Sequence, residues 1–144
     1  MIPSEARAHV LLIVDDNKSV RDSLEFLFRQ RGYVVLAAQN GAEALARAAE
    51  NEIDGAIVDV NMPGMNGIDV CRALRTQAAG RGRNIAVWIM TGARTLELSR
   101  QATEAGALAL FGKPFDLAEL FQHFEAALGP QALPKPVADV LDEL

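Results

Sequence analysis

The chain has 144 residues, of which 50% are hydrophobic and 23% charged, a length and balance that suit one globular domain with a sizeable core. Its formal net charge of −5 argues against general nucleic-acid binding, which favours a basic patch. Because Cys71 is the only cysteine, a disulfide framework and a cysteine zinc site are excluded, and a reducing compartment is expected.

From residue 9 onward, short apolar segments alternate with segments that carry helix signals. The apolar segments predict five strands, at 9–14, 33–38, 55–60, 84–92 and 107–111. The intervening segments predict five helices, at 17–31, 40–50, 68–77, 94–105 and 115–128. Such alternation predicts right-handed crossovers and a parallel sheet with helices on both faces.

Polar side chains stand at the carboxyl ends of four predicted strands: Asp15 and Asp16, Asp59, Thr91 and Lys113. In an open parallel sheet these ends share the edge where ligands bind. Three clustered carboxylates repel one another unless a cation offsets them, and Mg²⁺ binds through carboxylates while keeping waters. With a lysine and a hydroxyl added, the set suits phosphoryl transfer to a nucleophilic carboxylate.

Four motifs in this order, LIVDDN, AIVDVNMPGMNG, WIMTG and FGKPF, make the chain resemble a two-component response-regulator receiver domain. The resemblance covers about residues 9–128 and implies a doubly wound α/β fold, (βα)5, with a flavodoxin-like parallel sheet of order 2-1-3-4-5. Residues 1–8 are then an N-terminal extension. Residues 129–144 are a linker or a short C-terminal helix.

The resemblance implies that Asp59 accepts a phosphoryl group from the phosphohistidine of a histidine kinase or phosphotransfer protein. It implies Mg²⁺ as the cofactor, held by Asp15, Asp16 and Asp59 and by the backbone carbonyl of Asn61. The acyl phosphate is then hydrolysed with the domain's assistance. On this view the chain is a signalling switch that assists its own phosphorylation, rather than an enzyme that turns over a metabolite.

Three more residues take roles from the same resemblance. Thr91 matches the hydroxyl that turns toward the phosphoryl group, Lys113 the lysine that pairs with it, and Pro114 the proline joined to that lysine by a cis peptide bond. Receivers often carry an aromatic residue where this chain has Leu110, and the neighbouring Phe111 points to the opposite face of a strand. We therefore expect a switch that runs through the loop after Thr91 and the next helix, without an aromatic flip.

Two positions that tune the lifetime of the acyl phosphate in receivers are Asn61 and Ala93. Asn61 is polar and suited to positioning an attacking water, whereas Ala93 neither helps nor blocks it. Because only Asn61 assists the attacking water, we expect an acyl-phosphate lifetime on the order of minutes.

The output surface and the chain's limits follow from the resemblance in the same way. The face formed by residues 94–105, 107–111 and 115–128, here called the 94–128 face, is expected to meet an effector or form a homodimer. The alternatives of a stand-alone receiver and the N-terminal part of a longer regulator both stay open.

No apolar run approaches the roughly 18 residues of a membrane span, and no secretory signal begins the chain. We therefore expect a cytoplasmic protein without membrane contact.

A function from another class is a haloacid-dehalogenase-type aspartate phosphohydrolase, which also uses Mg²⁺, a lysine and a hydroxyl. Those enzymes carry a second aspartate two positions after the nucleophile, where this chain has Asn61.

His9 and His123 are expected to be surface residues, and Cys71 a small buried or half-buried one.

Overall fold

The computed structural model describes residues 8–129, which form five strands and five helices in strict alternation. The strands β1 to β5 are Val10–Val14, Val34–Ala38, Gly55–Asp59, Ala86–Thr91 and Ala109–Gly112. The helices α1 to α5 are Lys18–Gln30, Gly41–Glu50, Gly67–Ala79, Leu96–Glu104 and Leu117–Leu128. All ten predicted elements are present, with ends that differ by up to two residues.

The five strands pair in parallel, in the order β2-β1-β3-β4-β5, which confirms the predicted doubly wound α/β fold. In this order the chain turns to opposite sides after β1 and after β3, which are neighbours in the sheet. A crevice at the carboxyl ends of two such strands is where this class of fold binds ligands. The residues that end β1 and β3 therefore line the expected site.

Two hydrophobic cores cover the two faces of the sheet, as alternation along each strand requires. From β1, Leu12 and Val14 enter the core under α2, α3 and α4, while Leu11 and Ile13 enter the core under α1 and α5. Aromatic rings fill the second core: Phe28, Tyr33, Trp88, Phe111, Phe121 and Phe124. Burial of both faces explains why the strands are nearly continuous apolar runs.

Helix starts are set by side chains that cap the first turn. Asn17, Asn40, Asn66, Thr95 and Asp116 each accept a hydrogen bond from the backbone N–H three residues ahead. Such caps satisfy donors that the helix itself leaves unpaired. The cap at Thr95 explains why α4 begins after residue 95 and not at 94.

The expectation that His9 lies at the surface is wrong. His9 is 8% exposed, and its Nδ1 lies 3.8 Å from Asp54 Oδ2. Its carbonyl accepts a hydrogen bond from Val34, so the residue is held at the lower edge of the sheet. His123 has a side chain 42% exposed, as expected for a surface residue, and Cys71 is fully buried.

The predicted extension 1–8, apart from residue 8, and the predicted linker or helix 129–144, apart from residue 129, lie outside the described residues. Within the part of the chain that the structure describes, no helix has the length and apolar character needed to cross a bilayer.

Candidate functional site

Three carboxylates meet at the carboxyl edge of the sheet. Asp15 follows β1, Asp16 comes next, and Asp59 ends β3, and one oxygen from each lies within 4.8 Å of the others. Asp15 is 0% exposed and Asp59 is 5% exposed, whereas Asp16 lies at the surface. Carboxylate oxygens that converge beside solvent are a donor set that Mg²⁺ favours in proteins. The geometry therefore fits the ion that the sequence led us to expect.

Lys113, which follows β5, brings a cation to this cluster. Its Nζ lies 2.9 Å from Asp15 Oδ2 and 3.6 Å from Asp59 Oδ2. One ammonium group offsets only part of the charge of three carboxylates. The pocket thus keeps a net negative charge, which a divalent cation would offset.

The environment of Asp59 disfavours its ionised form. Burial, followed by the negative charge of Asp15, raises the pKa of Asp59 above its ordinary value. Lys113 and the N–H of Asn61, which donates to Asp59 Oδ1 at 3.3 Å, act in the opposite direction without cancelling the rise. A positive ion that binds near Asp59 would relieve this unfavourable state.

Hydrogen bonds hold Asp15 in a fixed position. Its Oδ1 accepts from the backbone N–H of Asn17 at 2.9 Å, and its Oδ2 accepts from Lys113. Its backbone carbonyl accepts from the Arg21 guanidinium at 2.8 Å. Asp16 makes no hydrogen bond to any residue between 8 and 129, so it stays at the rim with both oxygens available.

Thr91 ends β4 and is 1% exposed. Its hydroxyl oxygen accepts a hydrogen bond from the N–H of Ala93 at 3.1 Å, and its O–H is placed to donate to the Ala93 carbonyl at 3.2 Å. The Thr91 carbonyl accepts from the N–H of Lys113 at 2.8 Å. The hydroxyl therefore fastens the loop after β4, and the backbone ties that loop to the end of β5.

The expected cis peptide bond between Lys113 and Pro114 is present. Leu110 packs against the core under α2, α3 and α4, and Phe111 belongs to the other core. The prediction that Phe111 points away from the face of Leu110 is therefore confirmed.

Sequence reasoning did not single out Gly67, which packs directly on the backbone beneath Asp59. A Cβ atom at this position would lie 2.2 Å from the Asp59 carbonyl oxygen and 2.7 Å from Val60 Cα. Only glycine permits so close an approach. The only signal for this close approach in the sequence was the glycine that ends the NMPGMNG loop.

The fold and this site together define the class of protein: a response regulator receiver domain of two-component systems. The chain belongs to that family, whose model, "Response regulator receiver domain", matches residues 11–125. This result confirms the resemblance drawn from the four motifs. It gives no support to the alternative of a haloacid-dehalogenase-type phosphohydrolase.

Individual relatives support the same assignment. The chain is 36% identical over 118 residues to Response regulator MprA of Mycobacterium sp. (strain KMS), a match that covers 82% of this chain and 50% of that protein. It is 36% identical over 110 residues to Sporulation initiation phosphotransferase F of Bacillus subtilis (strain 168), covering 76% of this chain and 86% of that protein. The chain thus spans about half the length of the first relative and most of the second.

Solved structures share the fold at similar identity. Chemotaxis protein CheY4 of Vibrio cholerae superposes with a TM-score of 0.76 at 30% identity, covering 83% of this chain and 98% of that chain. A putative response regulator from Chloroflexus aurantiacus J-10-fl superposes with a TM-score of 0.76 at 33% identity, covering 85% and 98%.

Proposed function

We propose that Asp59 is the phosphoacceptor of this receiver domain and that its phosphorylation, with Mg²⁺, switches the 94–128 face. The observation that carries the proposal is the position of Asp59, buried beside Asp15 and Lys113 at the carboxyl edge of the sheet. The proposed donor is the phosphohistidine of a sensor histidine kinase or a phosphotransfer protein.

Hydrogen bonding favours Asp59 over Asp15 as the acceptor. Both oxygens of Asp15 accept hydrogen bonds at 2.9 Å, from Asn17 and from Lys113. Asp59 accepts one longer bond, at 3.3 Å, from the N–H of Asn61. Hydrogen bonds that a carboxylate accepts lower its nucleophilicity, so Asp59 is the better candidate of the two buried aspartates.

The transfer forms one bond and breaks one. A carboxylate oxygen of Asp59 attacks phosphorus, the P–N bond of the phosphohistidine breaks, and its electron pair returns to the imidazole nitrogen. Lys113 stands 3.6 Å from Asp59 Oδ2, within reach of a phosphoryl oxygen on that atom. Mg²⁺ held by Asp15, Asp16, Asp59 and the Asn61 carbonyl would neutralise charge on the phosphoryl oxygens.

Thr91 and the residues around it fit the proposed switch. A phosphoryl group offers strong acceptor oxygens, and the Thr91 hydroxyl can donate to only one acceptor at a time. The bond that it donates to the Ala93 carbonyl and a bond donated to the phosphoryl group therefore exclude each other. The lifetime on the order of minutes expected from Asn61 and Ala93 stays a prediction.

An apolar groove beside the pocket supports a protein donor. The groove, of about 420 Å³, lies between α1 and the start of α5, and Lys113, Ser23, Leu27 and Leu117 are among its lining residues. Because Lys113 lines both the groove and the carboxylate pocket, a protein seated in the groove has access to Asp59. We propose that the phosphohistidine-bearing domain of the donor occupies it.

The remaining expectations complete the proposal. Residues 9–128 act as the receiver unit in the cytoplasm, the 94–128 face serves an effector or a homodimer, and the domain itself binds no nucleic acid. A hydrolase with the same pocket would need an acid at the position of Asn61, and the side chain there is an amide.

Labelling with acetyl phosphate tests the proposal. The wild-type chain should take up one phosphoryl group in a Mg²⁺-dependent reaction, and Asp59→Asn should abolish the uptake. Asp22→Asn, which changes an exposed aspartate on α1, is the matched control and should be labelled normally. Labelling that survives in Asp59→Asn, or catalytic turnover of p-nitrophenyl phosphate, would contradict the proposal.

A further inference from the structure

The side chain of Arg94 lies on Gly112, across the gap between the loop after β4 and the end of β5. A Cβ atom built on Gly112 would lie 3.1 Å from Arg94 Cδ and 3.6 Å from Arg94 Cγ. Gly112 pairs with Thr91 in the sheet and directly precedes Lys113. The methylene groups of Arg94 thus rest on the piece of strand that carries the pocket lysine. We call this the Arg94–Gly112 contact.

The contact lies on the face of β5 where the aromatic residue of many receivers would stand. Leu110 and Gly112 share that face because strand side chains alternate, and Leu110 packs against the core beneath α4. Gly112 has no side chain of its own, so the stem of Arg94 fills the space beside it. This face therefore carries a long flexible side chain from the neighbouring loop instead of a ring from the strand.

Packing of the stem, and not charge pairing, holds Arg94 in this place. Arg94 is exposed, and its guanidinium makes no hydrogen bond or ion pair with any residue in the described range 8–129. By contrast, Arg100 on α4 pairs with Glu97 and Glu104. The attractive part of the contact is therefore the burial of methylene groups.

The position of Arg94 depends on the hydroxyl of Thr91. That hydroxyl binds both the N–H and the carbonyl of Ala93, the residue next to Arg94. If the hydroxyl donates to a phosphoryl oxygen instead, its bond to the Ala93 carbonyl is lost, and the backbone that presents Arg94 is held less firmly.

The two ends of α4 are held differently. At its carboxyl end, the Ala105 carbonyl lies 3.6 Å from Cys71 Sγ and 3.5 Å from the Arg75 guanidinium, both on α3. At its amino end, Leu96 is 91% exposed. A rearrangement of the loop after Thr91 would therefore move the amino end of α4 while its other end stays against α3.

We propose that the Arg94–Gly112 contact is a latch that favours the unphosphorylated conformation and opens when Thr91 turns to the phosphoryl group. This inference rests on the proposed function of Asp59. A contact made only in the unphosphorylated conformation lowers the population of the other conformation, which is the one that a phosphoryl mimic binds. Removing the latch therefore strengthens binding of the mimic.

The test measures the affinity for beryllofluoride, with Mg²⁺ present, by calorimetry. Arg94→Ala removes the stem, and Gly112→Ala places a Cβ 3.1 Å from Arg94 Cδ, so that the stem must shift by a small distance. Arg94→Ala should tighten binding about fourfold, on the order expected for the burial of one methylene group, and Gly112→Ala should tighten it by no more than that. Gly112 lacks a positive φ, so alanine fits its backbone. The double variant should bind no more tightly than the tighter single variant, since both changes act on the same contact.

Two further variants separate the latch from other effects. Arg94→Met keeps most of the stem without the charge and should stay within about twofold of wild type, since burial of apolar groups sustains the contact. Arg72→Ala removes an exposed arginine from α3 and is the matched control. Thermal unfolding without ligand checks that each variant is folded.

The outcomes distinguish the latch from the function on which it rests. Unchanged or weaker binding in both Arg94→Ala and Gly112→Ala would overturn the latch, as would Arg94→Met behaving like Arg94→Ala. In those cases acetyl phosphate would still label Asp59. If the wild type neither binds beryllofluoride nor is labelled at Asp59, the proposed function fails and the latch fails with it.

Discussion

Lys113 and Asp15 are 98 positions apart in the chain, and the ammonium group of one lies 2.9 Å from a carboxylate oxygen of the other. Asp15 is fully buried, while the Lys113 side chain is 26% exposed. The pair joins the first strand of the fold to the last, across β3 and β4, at the carboxyl edge of the sheet.

Lys113→Met should destabilise the domain in metal-free buffer by about 2 kcal/mol, since it leaves the buried carboxylate of Asp15 without its charged partner. Added Mg²⁺ should restore part of this loss by supplying another positive charge. Urea unfolding with EDTA and with Mg²⁺ measures both effects. Lys18→Met, which breaks the exposed pair with Asp22, is the control and should change stability by less than about 1 kcal/mol. Equal losses in the two variants would contradict the argument.

Asp59→Asn should raise the stability of the metal-free domain at neutral pH. Because burial and Asp15 raise the pKa of Asp59 in the folded state, wild-type stability falls as pH rises from the ordinary aspartate value, about 4, through that raised pKa. The extra stability of the variant is therefore complete above the raised pKa. It vanishes at a pH so low that Asp59 is protonated in both the folded and the unfolded state. Unfolding curves between acid and neutral pH, with Asp22→Asn for comparison, measure it. A gain that is independent of pH would exclude this cause.

Asp16→Asn and Asp15→Asn should both weaken Mg²⁺ binding, on the order of tenfold for the loss of one nearby charge. Both should slow labelling by acetyl phosphate and leave Asp59 as the labelled residue. Their stabilities should differ, because Asp15 accepts bonds from Asn17 and Lys113, while Asp16 is exposed. Without metal, Asp15→Asn should lose stability and Asp16→Asn should keep or gain it. Titration with Mg²⁺ and urea unfolding test the two halves separately.

Gly67→Ala should cost about 3 kcal/mol, because its Cβ would meet the backbone beneath Asp59 and neither side can move freely. The variant should also displace Asp59 and slow its labelling. Gly80→Ala, at the end of α3, places a Cβ at ordinary contact distances of 3.5 Å or more and is the matched control. A Gly67→Ala chain with wild-type stability would show that the helix shifts without penalty.

Ser23→Arg should obstruct the groove between α1 and α5. We expect it to slow phosphotransfer from a phosphorylated histidine kinase that labels the wild type about tenfold more than it slows labelling by acetyl phosphate. A small donor needs only the pocket, whereas a protein donor needs the groove, and loss of its packing there costs on the order of 1–2 kcal/mol. Thr76→Arg on α3 controls for the added charge. Equal slowing with both donors would remove the groove from the proposal.

The sequence was sufficient for the fold and for the members of the pocket because both follow from local patterns. Apolar runs identify the strands, and the residues after those runs must meet at one edge once the strands are parallel. The caps at Asn17 and Asn40 are equally local. These features need no knowledge of how distant parts of the chain pack.

What the sequence did not reveal depends on contacts between distant residues. His9 is buried because Asp54, 45 positions later, lies against it at the lower edge of the sheet. The Arg94–Gly112 contact exists because β4 and β5 pair in one particular register. The sequence pattern gives neither the register of β4 and β5 nor the distance between Arg94 and Gly112. From the sequence alone, Arg94 is an ordinary loop residue and Gly112 an ordinary residue at the end of a strand.

The bridge between Lys113 and Asp15 makes the pocket a property of the whole domain. Its members come from β1, β3, β4 and β5, so the detachment of β5 alone would remove the lysine and free the buried carboxylate. Partly unfolded chains therefore lack the complete pocket. If Asp59 is the acceptor, the rate of its labelling should fall in proportion to the fraction of native molecules across a urea titration, and chemical modification would serve as a count of intact domains.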